Sequence, residues 1–381
     1  MPSPDPDPPP LDASLRLTRT PSESDPRREP KLLDAIARIA PGTRLRSGID
    51  DIIRSHEGAL IVIGDPAELA FLYSGGIALE VPFTPQLLFE LAKMDGAIIV
   101  NESASRLAYA NVQLMPDPTI ASSETGTRHR TAERVAKQTS ALVISISQQR
   151  ETVTIFLDNL RYKLDRVPDV LAKANQALAT LDTYRQRLEQ ALTRLTALEF
   201  QNAVVLDDVL SVVQRAEMTT RMAEEIERDC VELGSEGRLI QLQLDELITE
   251  LPTEKHTVVY DYHSGGIKDA DEAIQRLAGY SYQDLLESEF LAQLLGFPRT
   301  VNPLDQSVSP RGYRVLSHVP RLTETTVRHV VASFDGLDAI VRATQRELEA
   351  VEGVGPARAR DIREGLRRLQ EHNLVERYLQ L

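Results

Sequence analysis

The order of apolar and polar positions divides the chain into parts with different periodicities. Between residues 31 and 165, short apolar runs alternate with segments of helical spacing. The apolar runs lie at residues 59–63, 97–100, 141–147 and 153–157, and the helical segments include 32–39 and 87–93. Because short apolar runs are typical of buried strands, this alternation predicts an α/β domain around a central sheet, which we expect to be mixed.

From residue 167 onward the pattern becomes that of long amphipathic helices. Leucine and alanine recur at a three–four spacing from 171 to 195, and no proline or glycine occurs from 169 to 233. Arg185 interrupts the apolar seam. This interruption favours helices packed in a bundle over a free coiled coil.

Shorter elements lie between the long helices and the C-terminus. Helices are predicted at residues 209–232, 239–247, 274–279 and 282–295. We interpret residues 257–262 as a short strand, and Asp261 and His263 as part of a solvated turn rather than a metal site. Residues 298–312 are rich in Pro, Asn and Ser and predict a loop, which places a domain boundary near residue 310.

The last segment predicts paired helices. Residues 348–369 read helix, Gly353-Val354-Gly355-Pro356, helix, which indicates a helix–hairpin–helix unit. Residues 316–334 have a similar periodicity, but their turn lacks glycines, so we expect a structural second hairpin there. The predicted fold class is α+β and multidomain. Its parts are an N-terminal extension (1–30), an α/β domain (31–165), a helical spine (166–310) and a helix–hairpin–helix domain (311–381).

Composition narrows the class of protein. An apolar fraction of 42%, with eight Phe, ten Tyr and no Trp, indicates an aliphatic core, and no run approaches the length of a membrane span. Residues 1–30 are rich in Pro, Asp and Ser, lack the apolar core of a secretory signal, and are expected to be disordered. The single Cys230 excludes an intramolecular disulfide and fits a reducing cytoplasm, where we expect the protein to reside.

The net charge of −14 argues against nucleic-acid binding over the whole surface, but the charge is unevenly distributed. Residues 311–381 contain 12 Arg and 10 acidic residues, so this segment is slightly basic whereas the rest of the chain is strongly acidic. An arginine-rich tail indicates contact with a polyanion. Charge alone favours the simpler interpretation, a solvated helical surface.

Candidate chemistry is concentrated at residues 126–134, Gly-Thr-Arg-His-Arg-Thr-Ala-Glu-Arg. Their pattern predicts the N-terminus of a helix, where unpaired N–H groups and the helix dipole favour a phosphate. Arg128 and Arg130 add planar guanidinium groups that match phosphate oxygens. We expect Gly126 to permit the turn that precedes the helix.

A second motif lies about thirty residues upstream. Asp95 and Gly96 precede the apolar run at 97–100, and a carboxylate near a phosphate site suggests nucleotide chemistry with a divalent metal. Taken alone, each motif has a simpler interpretation. Asp95 would be a turn residue, and the Arg-His-Arg string would be a surface cluster facing Glu124 and Glu133.

Together, Asp95-Gly96-Ala97 and Gly-Thr-Arg-His-Arg-Thr at 126–131 resemble the motifs of the diadenylate cyclase family. The helical region and the Gly353-Val354-Gly355 hairpin extend the resemblance over roughly residues 30–381. Over this range the chain resembles those members of the family that scan DNA integrity. It implies a reaction that joins two ATP molecules into cyclic di-AMP, releases two pyrophosphates and uses Mg²⁺ or Mn²⁺. The implied assembly is a homo-oligomer, an octamer of dimerising cyclase domains and helical spines.

The resemblance also implies roles for single residues. Asp95 is the implied catalytic carboxylate and metal ligand, while His129 is left open as a hydrogen-bond donor or a metal ligand. The implied ATP contacts are Gly96, Leu114, Thr127, Arg128, His129, Arg130, Thr131 and Ser147. The implied contacts with branched, Holliday-junction-like DNA are Gly353, Val354, Gly355, Arg358 and Arg360. Such contacts bind phosphates without reading the base sequence.

Two other classes of function stay open. One is a protein that binds DNA structures and only senses ATP, and the other is an ATP hydrolase. Incubation with ATP and a divalent metal separates the three classes, because only the cyclase forms a cyclic dinucleotide. For the C-terminal hairpin, the alternative is a tight turn that makes no contact with DNA.

Overall fold

The computed structural model describes residues 25–298, 302 and 305–379. Within this part of the chain, eight strands form the sheet of the N-terminal domain. The strands are β1 (Ala59–Ile63), β2 (Tyr73–Ser74), β3 (Ile77–Pro82), β4 (Ala97–Val100), β5 (Arg106–Leu114), β6 (Leu142–Ser147), β7 (Thr152–Leu157) and β8 (Leu160–Lys163). Their order is β2-β5-β4-β1-β6-β7-β8, and β3 also pairs with β5. β1 and β4 are parallel whereas the other pairs are antiparallel, which confirms the predicted mixed sheet.

Helices cover both faces of this sheet. They are α1 (Pro30–Arg38), α2 (Arg44–Arg54), α3 (Pro66–Leu69), α4 (Pro85–Ala92) and α5 (Thr127–Gln138). On one face, Ile36 of α1, Ile49 of α2 and Leu88 of α4 belong to the same buried cluster as Ile61 of β1. On the other face, α5 buries its apolar side with Phe156 and other inward residues of the sheet. The domain is therefore a three-layer α/β/α structure.

The helical spine follows β8 directly. Its helices are α6 (Val167–Phe200), α7 (Leu206–Leu233), α8 (Arg238–Ile248), α9 (Leu251–Tyr262), α10 (Ile267–Leu277), α11 (Tyr282–Leu286) and α12 (Ser288–Leu294). Arg185, which interrupts the leucine seam of α6, keeps only 12% of its side chain exposed and pairs with Glu254 of α9 at 2.9 Å. The charge in the seam is thus neutralised by a neighbouring helix, as expected for a bundle.

The interpretation of residues 257–262 as a strand is wrong. These residues form the second half of α9. Thr257, Val258 and Val259 are β-branched, which explains the error, because strand propensity is weak compared with tertiary packing. Val258 and Val259 are buried among the apolar side chains of α6, α7 and α12, and this packing stabilises the helix.

The C-terminal domain is docked firmly onto the spine. Its helices are α13 (Tyr313–Ser317), α14 (Glu324–Ser333), α15 (Gly336–Arg342), α16 (Gln345–Glu349) and α17 (Pro356–Leu379). Asp261 of α9 is 2% exposed and accepts hydrogen bonds from three successive backbone N–H groups, those of residues 312–314, at 2.6 to 2.9 Å. The expected solvated turn is therefore wrong, because Asp261 caps α13 from another domain. Arg314 is buried beside it and pairs with Glu199 of α6.

The end of the N-terminal extension also differs from the expectation of disorder up to residue 30. Pro26–Arg28 forms a 3₁₀ turn, and α1 begins at Pro30. Arg27 is 7% exposed and pairs with Asp229 and Glu232 of α7. The preceding residues of the extension, 1–24, lie outside the described part of the chain.

No helix within residues 25–298, 302 and 305–379 combines the length and the apolar character needed to cross a membrane.

Candidate active site

The register of the sheet brings the separate sequence motifs to one edge. Leu60 of β1 pairs with Ala97 of β4, and Ala59 pairs with Ile146 of β6. One residue further out, the chain positions 58, 96 and 147 therefore lie near one another along the same edge. On the other side of β4, Val112 of β5 pairs with Ala97, so residue 114 reaches this edge as well. Three strands thus bring the predicted residues to this edge: β4 follows Asp95 and Gly96, β5 ends at Leu114 and β6 ends at Ser147.

The N-terminus of α5 faces the same edge. We call residues 127–131, in its first turn and a half, the cradle. The N-cap, Gly126, has no side chain to accept from the first N–H groups. Gly126 adopts φ −80° and ψ 140°, which any residue can adopt. The turn before α5 therefore does not depend on the conformational freedom of glycine, contrary to the expectation. By contrast, α2 and α4 are capped by the hydroxyl groups of Thr43 and Thr84. The uncapped start of α5 leaves backbone donors for an anion.

Arg128 connects the cradle with the sheet edge. Its Nη1 donates a hydrogen bond to the carbonyl oxygen of Ile146 at 3.2 Å. The guanidinium lies over Gly58, where a Cβ atom would be only 2.0 Å from Nη1. Gly58 therefore provides the space that Arg128 occupies. No signal in the sequence marks this glycine, because its importance comes from a helix seventy residues away.

The His129 side chain extends from the cradle toward β7. Its ring contacts Phe156 edge-on, with the ring centroids 6.3 Å apart. Burial lowers the pKa of His129, and the nearby positive charges of Arg161 and Arg128 lower it further, against the opposing effect of Glu124. These effects favour the neutral imidazole. A neutral ring retains one N–H donor and one lone pair, so both of its implied roles stay open.

The contacts of Arg130 differ from those of a surface cluster facing the carboxylates of Glu124 and Glu133. Its Nε donates to the carbonyl oxygen of Glu124 at 3.3 Å, and its Nη2 lies 3.5 Å from that of Thr125. The carboxylate of Glu124 instead pairs with Arg161. Within the described chain, neither Arg128 nor Arg130 forms an ion pair with a carboxylate. Both guanidinium groups keep their charge for a ligand.

Glu133 shapes the loop before the cradle. It is 7% exposed and accepts hydrogen bonds from Ser122 Oγ at 2.5 Å, the Ser123 backbone N–H at 3.0 Å and Lys137 Nζ at 2.8 Å. Although burial raises the pKa of Glu133, these donors together lower it to about 2. The ionised carboxylate thus holds residues 122 and 123 against α5 and fixes the path of the loop.

Asp95 and Gly96 form the turn between α4 and β4. The Asp95 side chain is exposed and has no hydrogen-bond or ion-pair partner among the residues described. Gly96 has φ 92°, and a Cβ atom there would lie 2.8 Å from the Val112 carbonyl oxygen. Only glycine fits this left-handed, crowded position. The turn residue that the sequence alone suggested is therefore a free carboxylate beside a tightly held backbone.

The remaining predicted contacts surround the same edge at different depths. Thr127 is exposed, whereas Thr131, Leu114 and Ser147 are partly buried. Ser147 Oγ accepts a hydrogen bond from the Arg150 backbone N–H at 3.3 Å. These residues therefore offer two threonine hydroxyls, a serine hydroxyl and an apolar side chain around the cradle.

A second candidate interface is the C-terminal hairpin between α16 and α17. Gly353 has φ 78°, and Arg358 Nη1 donates to its carbonyl oxygen at 2.6 Å. A Cβ atom at Gly355 would meet nothing within 4 Å, so its backbone is open to solvent. Arg360 is exposed as well. Val354 is 4% exposed and packs in the core of the domain, so its side chain is not available to DNA.

The first hairpin, between α13 and α14, has the same geometry with different chemistry. Arg321 has φ 68°, close to the value at Gly353. Thr323 corresponds in position to Gly355, but its Oγ1 accepts from the Thr326 N–H and caps α14. The hydroxyl accepts from one backbone N–H group, whereas Gly355 has no side chain to do so. This difference supports the expected division into a structural hairpin and an open one.

Comparisons with known proteins agree on one family. Residues 46–160 match the family described as DisA bacterial checkpoint controller nucleotide-binding, and residues 164–304 match the DisA bacterial checkpoint controller linker region. The DNA integrity scanning protein DisA of Carboxydothermus hydrogenoformans is 48% identical over 345 residues, which cover 90% of this chain and 98% of the relative. Proteins of the same name from Bacillus pumilus and Bacillus subtilis are each 46% identical, over 352 and 341 residues. These matches cover 92% and 90% of this chain and 98% and 94% of the relatives.

Proposed function

The chain belongs to the DisA family of diadenylate cyclases, and we propose that it condenses two ATP molecules into cyclic di-AMP and two pyrophosphates. The observation that carries this proposal is that an unpaired carboxylate, Asp95, and Arg128 of the cradle lie at the same edge of the sheet. The sequence of the two motifs did not by itself require Asp95 and the cradle to lie together. Their proximity supports a site that binds a triphosphate and acts on a ribose hydroxyl.

In the proposed reaction, each ribose 3′-oxygen attacks the α-phosphorus of the other ATP. A 3′-oxygen–phosphorus bond forms, the bond from the α-phosphorus to the bridging oxygen breaks, and pyrophosphate leaves. Asp95 assists removal of the 3′-hydroxyl proton. Arg128 and Arg130, together with the N–H groups at the start of α5, bind the triphosphate and stabilise the charge that develops on pyrophosphate. Leu114 contacts the adenine, and Thr127, Thr131 and Ser147 donate to phosphate oxygens.

The residues at the edge fit a divalent cation that is shared with the substrate. Within the described residues, no group of three or more His, Cys, Asp or Glu side chains could hold a metal alone. Mg²⁺ commonly binds one or two carboxylates and completes its coordination with substrate phosphates and water. Asp95 would supply the protein ligand, and His129 is a second candidate. Mg²⁺ or Mn²⁺ would favour loss of the hydroxyl proton and neutralise phosphate charge.

The reaction requires two active sites that face each other. Each chain carries one Asp95 and one cradle, whereas the product contains two symmetrical phosphodiester bonds. Two protomers, each with one bound ATP, therefore complete the site. We extend this proposal to a homo-octamer, by resemblance to the family, and to regulation by branched DNA bound at Gly353, Gly355, Arg358 and Arg360.

The test is a product assay of the full-length protein with ATP and Mg²⁺ or Mn²⁺. We expect a cyclic dinucleotide and pyrophosphate. Asp95→Asn should abolish cyclisation, because an amide cannot assist removal of the 3′-hydroxyl proton. The variant should retain its fold, since the exposed Asp95 side chain makes no contact that supports it. It should also retain most of the ATP affinity, which the cradle provides. Near-wild-type turnover by this variant would remove Asp95 from the mechanism.

The products also decide between the other function classes. Release of phosphate or pyrophosphate without a cyclic product would assign an ATP hydrolase. ATP binding without turnover, together with binding of branched DNA, would assign a protein that only senses ATP.

A further inference from the structure

Arg161 lies on the edge strand beside the cradle. It is on β8, where it pairs with Phe156 of β7. Cross-strand partners share a face of the sheet, and Phe156 packs on the face covered by α5. Arg161 is therefore on the face of the cradle. Its side chain is 52% exposed and forms an ion pair with Glu124, whose side chain is 14% exposed.

Glu124 connects this ion pair with the phosphate site. Its carbonyl oxygen accepts the hydrogen bond from Arg130 Nε at 3.3 Å. Its carboxylate is close enough to His129 to raise the pKa of that imidazole, and Arg161 lowers the same pKa. Glu124 thus places a negative charge at the site where the triphosphate is proposed to bind. Without its partner, that charge would repel the ligand.

We infer that Arg161 is a positioning residue for ATP, which acts through Glu124 by neutralising its carboxylate and holding its backbone in place for Arg130. This inference rests on the proposed binding of ATP by the cradle. It assigns a role outside the motifs that suggested the function, since Arg161 lies thirty residues beyond them in a strand with no sequence signature. Arg161 needs no contact with the nucleotide to fulfil this role.

The position of Arg161 is itself fixed by the spine. Tyr162, the next residue, points to the opposite face of the sheet, and its hydroxyl donates to Glu232 of α7 at 2.6 Å. Glu232 also accepts from the Asp165 backbone N–H at 3.2 Å. A tight turn with Asp158 at φ 51° sets the register between β7 and β8. β8 therefore holds Arg161 toward the cradle while its other face is attached to the spine.

The test compares KM for ATP and kcat in Arg161→Ala, Glu124→Gln and the double variant. Arg161→Ala should raise KM about tenfold, which corresponds to about 1.4 kcal/mol, with a smaller change in kcat. Glu124→Gln removes the repelling charge, so the double variant should have the KM of Glu124→Gln alone. Arg161→Lys keeps the charge and should restore most of the affinity. Arg106→Ala is the matched control, because Arg106 is similarly exposed (54%) and pairs with Glu80 at 3.7 Å.

The outcomes separate this inference from the proposed function. An unchanged KM in Arg161→Ala would overturn the inference. An equal rise in KM with and without Glu124→Gln would also overturn it, since Arg161 would then act independently of Glu124. Failure of the wild-type protein to form a cyclic dinucleotide would overturn the proposed reaction instead. In that case the same variants test Arg161 by calorimetric titration with ATP.

Discussion

A methyl group at Gly58 should disable Arg128 without removing any charge. The Cβ atom of an alanine would lie 2.0 Å from Arg128 Nη1 and 3.2 Å from the Ile146 carbonyl oxygen. Gly58 does not have a positive φ, so alanine is compatible with its backbone. The guanidinium ends a flexible side chain and is the group that must move. Gly58→Ala therefore displaces the Arg128 guanidinium within the proposed phosphate site, while the fold is retained.

The size of the effect follows from the required displacement. An ordinary contact begins near 3.4 Å, so Nη1 must move by about 1.4 Å and lose its bond to Ile146. Hydrogen bonds to charged groups contribute about 1.5–3 kcal/mol, which corresponds to roughly 10- to 150-fold in affinity. A displaced arginine still attracts phosphate through its charge. We therefore expect ATP affinity to fall by about tenfold, at the lower end of this range.

The assay is calorimetric titration of ATP in a double-mutant cycle with Arg128→Ala. If Gly58 acts by seating Arg128, Gly58→Ala should have no further effect once Arg128 is alanine. Gly279→Ala is the control, because its Cβ would approach its nearest neighbour, the Arg276 carbonyl oxygen, only to 3.4 Å. Equal losses from Gly58→Ala in the presence and absence of the Arg128 side chain would refute the argument.

Three further predictions follow from single contacts. The pKa of Glu133 is lowered to about 2 from 4.5, so its contribution to stability is present above about pH 4.5 and lost as the pH falls through about 2. The melting temperature of wild type should thus exceed that of Glu133→Gln at pH 7, and the difference should shrink with acid. Asp261→Ala leaves three buried N–H groups without an acceptor and should cost roughly 3 kcal/mol or more, with a local loss of hydrogen-exchange protection in α13. A Cβ atom at Gly355 meets no protein atom within 4 Å, so Gly355→Val should keep the melting temperature but weaken binding of branched DNA about tenfold, the effect of about one phosphate contact. Unchanged DNA affinity would assign the hairpin a structural role.

Periodicity predicted the elements whose residues are all buried or strongly amphipathic. β1 and β4 are continuous apolar runs, β6 and β7 are mostly apolar and buried, α6 has a leucine seam and α7 is long and amphipathic, so their positions follow from the sequence to within a few residues. β3 and β5 were not predicted. β5 alternates between exposed and buried positions, and β3 contains Glu80 at φ 46° and a register shift against β5. Both features weaken the sequence signal of a strand.

The candidate site was predictable in its residue types but not in its assembly. Asp95 and the cradle carry chemical groups that suggest phosphate and metal chemistry. The contributions of Gly58, Arg161 and Glu133 depend on the register of strands far apart in the sequence. Glycine gives no signal for the side chain that another segment places over it. An arginine in a short edge strand is equally common on any solvated surface.

The docking of the C-terminal domain determines how its role can be tested. The loop composition suggested a boundary near residue 310, where a truncated enzyme would keep its cyclase and spine. Removal of Arg314, however, would leave Glu199 as a buried carboxylate whose one remaining partner among the described residues is the Tyr262 hydroxyl. Truncation would also remove the three backbone N–H groups that donate hydrogen bonds to Asp261. Breaking a buried ion pair by removing one partner is strongly destabilising. A truncated chain that fails to respond to DNA could therefore have lost spine packing, whereas Gly355→Val changes the exposed hairpin alone and isolates DNA binding.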